Sequence, residues 1–266
     1  MKTNKTKIMG VLNANEDSFY KSSRFDNKEA SVKIERMIKN GANIIDIGAV
    51  SSKPGSVGID EKSELKRLKN IVDTIYKEKY YEKVDFSIDS YSPFVIDYVL
   101  NKGFKIVNDI TGLKNDEVCK VCAKYDAKVV IMHMQNKPAN MQEKPLYKDV
   151  VIDIDEFFKK QINKANSFGL KDIVLDVGIG FGKNLEHNLM LLKKLEYFKH
   201  FGFELLIGAS RKSMIDMIST SSVENRLAGT LAIHLEAINN GASIIRCHDV
   251  YEHNQAIKVQ EAIRNI

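Results

Sequence analysis

Two carboxylates and an amide each close a short apolar run: Asp89 follows Phe86-Ser87-Ile88, Asn108 follows Ile106-Val107, and Asp176 follows Ile173-Val174-Leu175. Carboxylates accept from N–H donors, while an amide or ammonium addresses a carbonyl. Two acids and an asparagine on neighbouring strands therefore suit a flat, amide-rich heterocycle such as an aminopyrimidinone. Each acid taken alone also fits a buried structural carboxylate bonded to loop amides. Ser210-Arg211-Lys212-Ser213 adds a lysine able to meet a ring carbonyl or a second substrate's carboxylate, with Ser213 beside it. Standing alone, that tetrad reads as a solvated basic loop.

Arg246 and His248 are two residues apart, so on a strand their side chains share one face. Arginine offers a forked clamp for phosphate and histidine a further donor, which would neutralise a departing phosphate or diphosphate. Asn13 ends the first apolar run, and one neutral oxygen together with diphosphate oxygens suits Mg2+. Gly178-Ile179-Gly180-Phe181-Gly182-Lys183-Asn184 permits close ligand approach but lacks the Gly-Lys-Ser/Thr ending of a nucleotide loop. His133, His200, His234 and His253 carry no comparable argument: His133, between two methionines, reads as a structural lining of the same end, and His200 and His253 as surface residues.

Placing these groups together requires a particular scaffold. Apolar runs at 7–15, 43–49, 85–89, 105–110, 128–134, 173–178, 204–210 and 243–249 alternate with helical periodicity at 28–40, 61–79, 93–101, 116–125, 153–168, 186–201, 223–239 and 251–264. Glycine past a helix end, as at Gly41, Gly103, Gly202 and Gly241, is a stop signal. Eight such units predict an α/β fold, a single (β/α)8 barrel over residues 1–266, with an open doubly wound sheet as the alternative. In a barrel, Asn13, Asp46, Asp89, Asn108, His133, Asp176, Ser210, Arg246 and His248 converge on one mouth, where loops 15–27 and 50–60 could close.

Composition excludes several other classes. The 266 residues carry 44% hydrophobic and 28% charged side chains, as ordinary globular proteins do. A net charge of +5 comes without a basic stripe interleaved with aromatics, so neither nucleic acid nor a membrane is expected as a partner. Cys119 and Cys122 form a CxxC spacing with no second pair, which reads as helix core rather than zinc or redox chemistry. No exit signal or spanning segment is evident, making the cytoplasm the default.

The ordered motifs resemble those of the dihydropteroate synthases within the pterin-binding barrel family. The most specific are Ile8-Met9-Gly10-Val11-Leu12-Asn13 with Asp17-Ser18-Phe19, Ser51-Ser52-Lys53-Pro54-Gly55, Ile88-Asp89-Ser90, Val107-Asn108-Asp109-Ile110, Met132-His133-Met134-Gln135, Asp176 through Asn184, Ser210-Arg211-Lys212-Ser213 and Ile245-Arg246-Cys247-His248-Asp249. The resemblance implies transfer of a dihydropterin from its pyrophosphate to 4-aminobenzoate, with loss of diphosphate. It implies that Asp89, Asn108, Asp176 and Lys212 hold the pterin. Asn13, Arg246 and His248 would attend the diphosphate and Mg2+, and Ser52, Lys53, Pro54, Phe181, Lys212 and Ser213 would surround the aminobenzoate. Of these, Asn13, Asp89, Lys212, Arg246 and His248 are the expected catalytic group. It also implies a homodimer and a sulfonamide target.

Departures from the family pattern fall mainly in the first two loops. Asn15-Glu16 replaces Thr-Pro, Tyr20-Lys21-Ser22-Ser23 replaces Ser-Asp-Gly-Gly, and Lys53 replaces arginine, losing a planar donor fork. Val177 stands for proline and Ala209 for methionine, while the pterin-pocket positions are intact. Two alternatives stay open: a related barrel transferring methyl from a reduced folate to a corrinoid protein, and a non-catalytic pterin-binding paralogue.

Overall fold

A computed structural model describes residues 5–14, 26–50, 55–56, 58–136, 140–143 and 145–265. Its strands are β1 (Lys7–Asn13), β2 (Ile44–Gly48), β3 (Asp85–Asp89), β4 (Ile106–Asp109), β5 (Lys128–Met132), β6 (Ile173–Asp176), β7 (Glu204–Ile207) and β8 (Ile244–Cys247). All pair in parallel in chain order, and β8 returns to β1 through Lys7↔Ile244 to Gly10↔Cys247, closing the barrel. The helices are α1 (Asp26–Lys39), α2 (Glu61–Lys77), α3 (Pro93–Leu100), α4 (Asp116–Lys124), α5 (Val150–Ser167), α6 (Leu185–Lys193), α7 (Ser213–Ile218), α8 (Leu227–Asn239) and α9 (Val250–Arg264). The barrel expected from the alternating pattern is the one observed.

Alternate residues of a strand face opposite ways, and closure turns one of those sets inward. Met9, Ile44, Ile106, Val130, Val174, Leu206 and Ile244 share the inward parity and form one dry layer across the barrel. One step toward the strands' amino ends, Lys7 and Lys128 both bond Glu204, at 2.7 and 3.0 Å. One step the other way lie Asp46, Asp89, Asn108, Asp176 and Arg246. Outward residues such as Ile45, Ile47, Phe86, Val107, Val129 and Leu175 pack under the helices.

Side chains set most helix starts. Asp60 accepts from the Lys62 and Ser63 amides at α2, Ser92 from Val95 at α3, Asn115 from Glu117 at α4, and Asp149 from Val151 and Ile152 at α5. Asn184 and His187 cap α6 reciprocally. The helix expected over 186–201 ends instead at Lys193 and continues as a tighter 3₁₀ segment, Leu195–Phe201. Leu195 and Phe198 face the core three residues apart, the period of that helix. Helix α7 has no counterpart in the apolar periodicity, and six residues are too few to display one.

Cys119 and Cys122 are both buried on α4, as read. Phe158 on α5 is fully buried and meets Phe198 edge-on at 5.6 Å between centroids. Its replacement by alanine is expected to cost about 3–5 kcal/mol. A denaturant midpoint unchanged from that of the parent protein would show that this layer is not close-packed.

Candidate active site

Burying a cation inside a barrel is costly unless carboxylates surround it. Arg246 meets that condition: its Nε donates to Asp46 Oδ2 at 2.6 Å and its Nη2 to Asp89 Oδ2 at 2.7 Å. Asn108 Nδ2 donates to the same Asp46 oxygen at 3.1 Å, joining β2, β3, β4 and β8 in one network. Burial pushes the Asp89 carboxyl up to about 7; Arg246 opposes the rise, while Asp46, Glu64 and Asp109 add to it. Arg246 itself is held above the ordinary guanidinium value by Asp46 and Asp89, against the pull of burial. Asp109 faces outward and bonds the Thr111 and Leu113 amides, a structural carboxylate of the kind weighed against each acid.

Across the mouth, Asp176 accepts from the Gly178 amide at 2.8 Å and opens the glycine-rich loop. Gly178 has φ of 69°, and a Cβ there would lie 2.0 Å from the His133 carbonyl oxygen, so only glycine fits. Every carbonyl from residue 178 to 182 receives a side-chain donor. Lys183 Nζ bonds Gly178 O and Phe181 O, both at 3.0 Å. Lys212 Nζ bonds Ile179 O, Gln142 bonds Gly180 O at 2.7 Å, and the Tyr147 hydroxyl bonds Gly182 O at 2.8 Å. Lys183 also reaches His133 Nδ1 at 3.0 Å. Burial draws Lys183 well below its ordinary pKa, with Asp176 opposing; the surrounding carbonyl oxygens are nonetheless the partners an ammonium requires.

Lys212 links this loop to the rest of the mouth. Its Nζ stands 4.1 Å from the Phe181 ring centroid, within cation–π range. Burial lowers its pKa to about 8, Asp176 and Asp89 opposing and Arg246 adding to the fall. The turn carrying it is tied to the loop after β8: Ser210 Oγ lies 2.9 Å from His248 Nδ1, and Arg211 forks onto Asp249 at 2.7 and 3.0 Å. Arg211 adopts φ of 58°, a costly conformation that the Asp249 fork and the Val223 and Glu224 carbonyls hold in place.

The expected residues separate into three groups. Asp89, Asn108, Asp176, Lys212 and Arg246 gather around the mouth, with Phe181 half-buried beside Lys212. Asn13 is exposed at the end of β1, His248 is exposed just beyond β8, and Ser213 is exposed at the start of α7. Ser52, Lys53 and Pro54, with most of loop 15–27, lie outside the described residues. His133, Ser210 and His248 stand past their strands rather than in them, because the ladders end at Met132, Ile207 and Cys247. His200 has its side chain 44% exposed, as read, but His253 does not fit the surface reading: it is 1% exposed, sealed between α8 and α9. The anchoring roles of Lys183, Gln142 and Tyr147 have no sequence signal, because only the fold brings them to the carbonyls they bind. The role of Asp46 was likewise hidden, although its place at a strand end was visible.

A family model described as pterin binding enzyme matches residues 9–248. A bifunctional dihydropteroate synthase/dihydropteroate reductase of Helicobacter pylori is 44% identical over 262 residues, covering 98% of this chain and 69% of that protein. The Yersinia pestis dihydropteroate synthase, solved in a sulfonamide drug complex, superposes with a TM-score of 0.91 at 36% identity, covering 98% of this chain and 95% of that one. The Thermus thermophilus enzyme, solved with 4-aminobenzoate, gives 0.87 at 34% identity over 98% and 95% of the two chains. This chain belongs to the dihydropteroate synthases.

Arg246→Met is expected to cost about 3–5 kcal/mol, since it strands Asp46 and Asp89 without their cation. Asp89 titrates higher folded than unfolded, so the folded state holds more protons between the two values and stability falls as pH rises through that window. Removing the arginine widens the window upward. Urea titrations of both proteins from about pH 5 to 8 should show a deficit that grows with pH; a deficit independent of pH would contradict the carboxylate account.

Proposed function

We propose that the mouth condenses 6-hydroxymethyl-7,8-dihydropterin pyrophosphate with 4-aminobenzoate, giving 7,8-dihydropteroate and diphosphate. The observation that carries this reading is the pairing, at one end of the barrel, of a carboxylate–amide wall with two cations. Asp89, Asn108 and Asp176 supply acceptors and an amide to the ring's donors and carbonyl, and Lys212 supplies a donor opposite them. Arg246 has to share or surrender a carboxylate to meet the departing diphosphate, and His248 adds a second donor at the rim. Phe181, Ser213 and Lys212 take the aminobenzoate, and the family resemblance adds Ser52, Lys53 and Pro54 to that role. Its aromatic amine is neutral near pH 7 and attacks the exocyclic methylene without a strong base, so positioning supplies much of the rate.

Among the described residues no cluster of three or more His, Cys, Asp or Glu could hold a metal ion. The exposed Asn13 amide oxygen fits Mg2+ arriving with the diphosphate, an ion that keeps water and takes few protein ligands. When bound, Mg2+ supplies charge neutralisation to the leaving group.

The protein acts on small molecules as a homodimer, a reading that rests on the family resemblance, and the cytoplasm is its default compartment. No helix among the described residues is long and apolar enough to cross a membrane. The aminobenzoate subsite is also where a sulfonamide would compete.

Purified protein with the pterin pyrophosphate, Mg2+ and 4-aminobenzoate should release diphosphate one-to-one with dihydropteroate, and release should need both substrates. Binding of the pterin without any turnover would instead favour a non-catalytic paralogue.

The pH profile of kcat/KM for the pterin substrate should be narrow, because capture needs Asp89 ionised and Lys212 charged. Its limbs should lie near 7 and 8. Asp89→Asn should remove the acidic limb with a fall of about 100-fold or more in kcat/KM; a retained limb would assign it elsewhere.

A further inference from the structure

His234 on α8 and His253 on α9 are each 1% exposed and stand directly behind the Ser210–Ser213 turn. Their ring nitrogens form a chain that runs from one backbone amide to one backbone carbonyl. The Ala209 amide donates to His234 Nε2 at 3.0 Å, His234 Nδ1 lies 2.8 Å from His253 Nε2, and His253 Nδ1 lies 2.6 Å from the Asp249 carbonyl oxygen.

The protons follow by elimination. An amide N–H can only donate, so His234 Nε2 is bare. A carbonyl can only accept, so His253 Nδ1 carries a proton. The bond between the rings then needs one proton, and a neutral His234 has it on Nδ1. Both rings are thus neutral Nδ1–H tautomers, all donating in one direction, from Ala209 to Asp249. A proton added to His234 would set N–H against the Ala209 N–H, and one added to His253 would set it against His234 Nδ1–H.

The two ends of this chain hold elements that carry the reaction. Thr230, one helical turn before His234, accepts the Arg211 amide at 3.0 Å, so α8 receives the turn at two points. At the other end Asp249 offers its carbonyl to His253 and its carboxylate to Arg211. We infer that His234 and His253 are positioning residues, a neutral imidazole pair that fixes the 209–212 turn against the 247–249 loop and keeps Lys212 and His248 in register.

The charged surroundings act in both directions. Lys212 on the turn opposes a proton on His234, Asp249 just ahead of α9 and Glu252 on it favour one on His253, and Arg211 offsets Asp249. Burial is the largest influence on both and draws them below the ordinary histidine value, His234 well below. Unfolded histidines take up protons below about pH 6.5, so the stability this pair contributes is present above that value and is lost as pH falls toward the folded values.

Two kinds of measurement test the pair. In ¹⁵N-histidine-labelled protein near pH 7.5, long-range ¹H–¹⁵N correlation should report both rings as neutral Nδ1–H, with His234→Gln and His253→Gln supplying the assignments. An Nε2–H tautomer or an imidazolium at either position would overturn the inference. His253→Leu should speed amide hydrogen exchange across residues 208–213 and lower kcat/KM about 10-fold or more at the same pH. His253→Gln, whose amide keeps an acceptor and a donor, should restore both. Parent-like exchange and turnover in a folded His253→Leu protein would refute positioning. If His253→Leu does not fold, failure of the glutamine variant to match the parent would do the same. The turnover arm rests on the synthase reading, whereas tautomers and exchange do not, so an inactive parent protein would count against the synthase alone.

Discussion

Arg246, suspended between Asp46 and Asp89, is the interaction on which the mouth is organised. Three charges placed within a closed ring of strands tolerate one another only because each is compensated at 2.6–2.7 Å. That arrangement ties β8 to β2 and β3 across the barrel, and Asn108 brings in β4 through the same Asp46 oxygen. A leaving group that drew on the guanidinium would therefore disturb the Asp89 carboxylate. On the proposed reading, ring binding and departure of diphosphate would be joined through one side chain.

A second layer of order surrounds this centre. The glycine-rich loop gains flexibility from its composition and then loses it, as Lys183, Lys212, Gln142 and Tyr147 take up its carbonyls in turn. Glycines allow the backbone to pass close to His133, and the side-chain donors keep it there. On the other flank Arg211 carries a backbone strain that its fork onto Asp249 offsets. Both flanks meet at Lys212, which bonds one loop while sitting on the other.

Much of this was legible in the chain itself. Strand positions, glycine stops and the inward run of polar residues follow from local chemistry, since parity along a strand needs no knowledge of partners. Asp89, Asn108, Asp176 and Arg246 could be picked out for that reason, and Lys212 by its place in the loop after the seventh run. What stayed hidden depended on contacts between distant segments. His253 looks like a solvated histidine in Tyr251-Glu252-His253-Asn254, and only the packing of α9 on α8 buries it. Lys183 reads as the polar end of a glycine turn, and its acceptors come from folded backbone and the His133 ring. Asp46 resembled any strand-end acid until Arg246 arrived from 200 residues away.

The dry layer of Met9, Ile44, Ile106, Val130, Val174, Leu206 and Ile244 has a consequence for traffic. It stoppers the barrel below the carboxylates, and the lysine–glutamate pairs lie beneath it, so among the described residues the mouth is closed off from the barrel's other end. Whatever rests on Asp176 and Asn108 is at the bottom of that mouth, while Phe181 and Ser213 stand nearer its lip. Two guests held at those depths would have to enter in turn, the deeper one before the shallower.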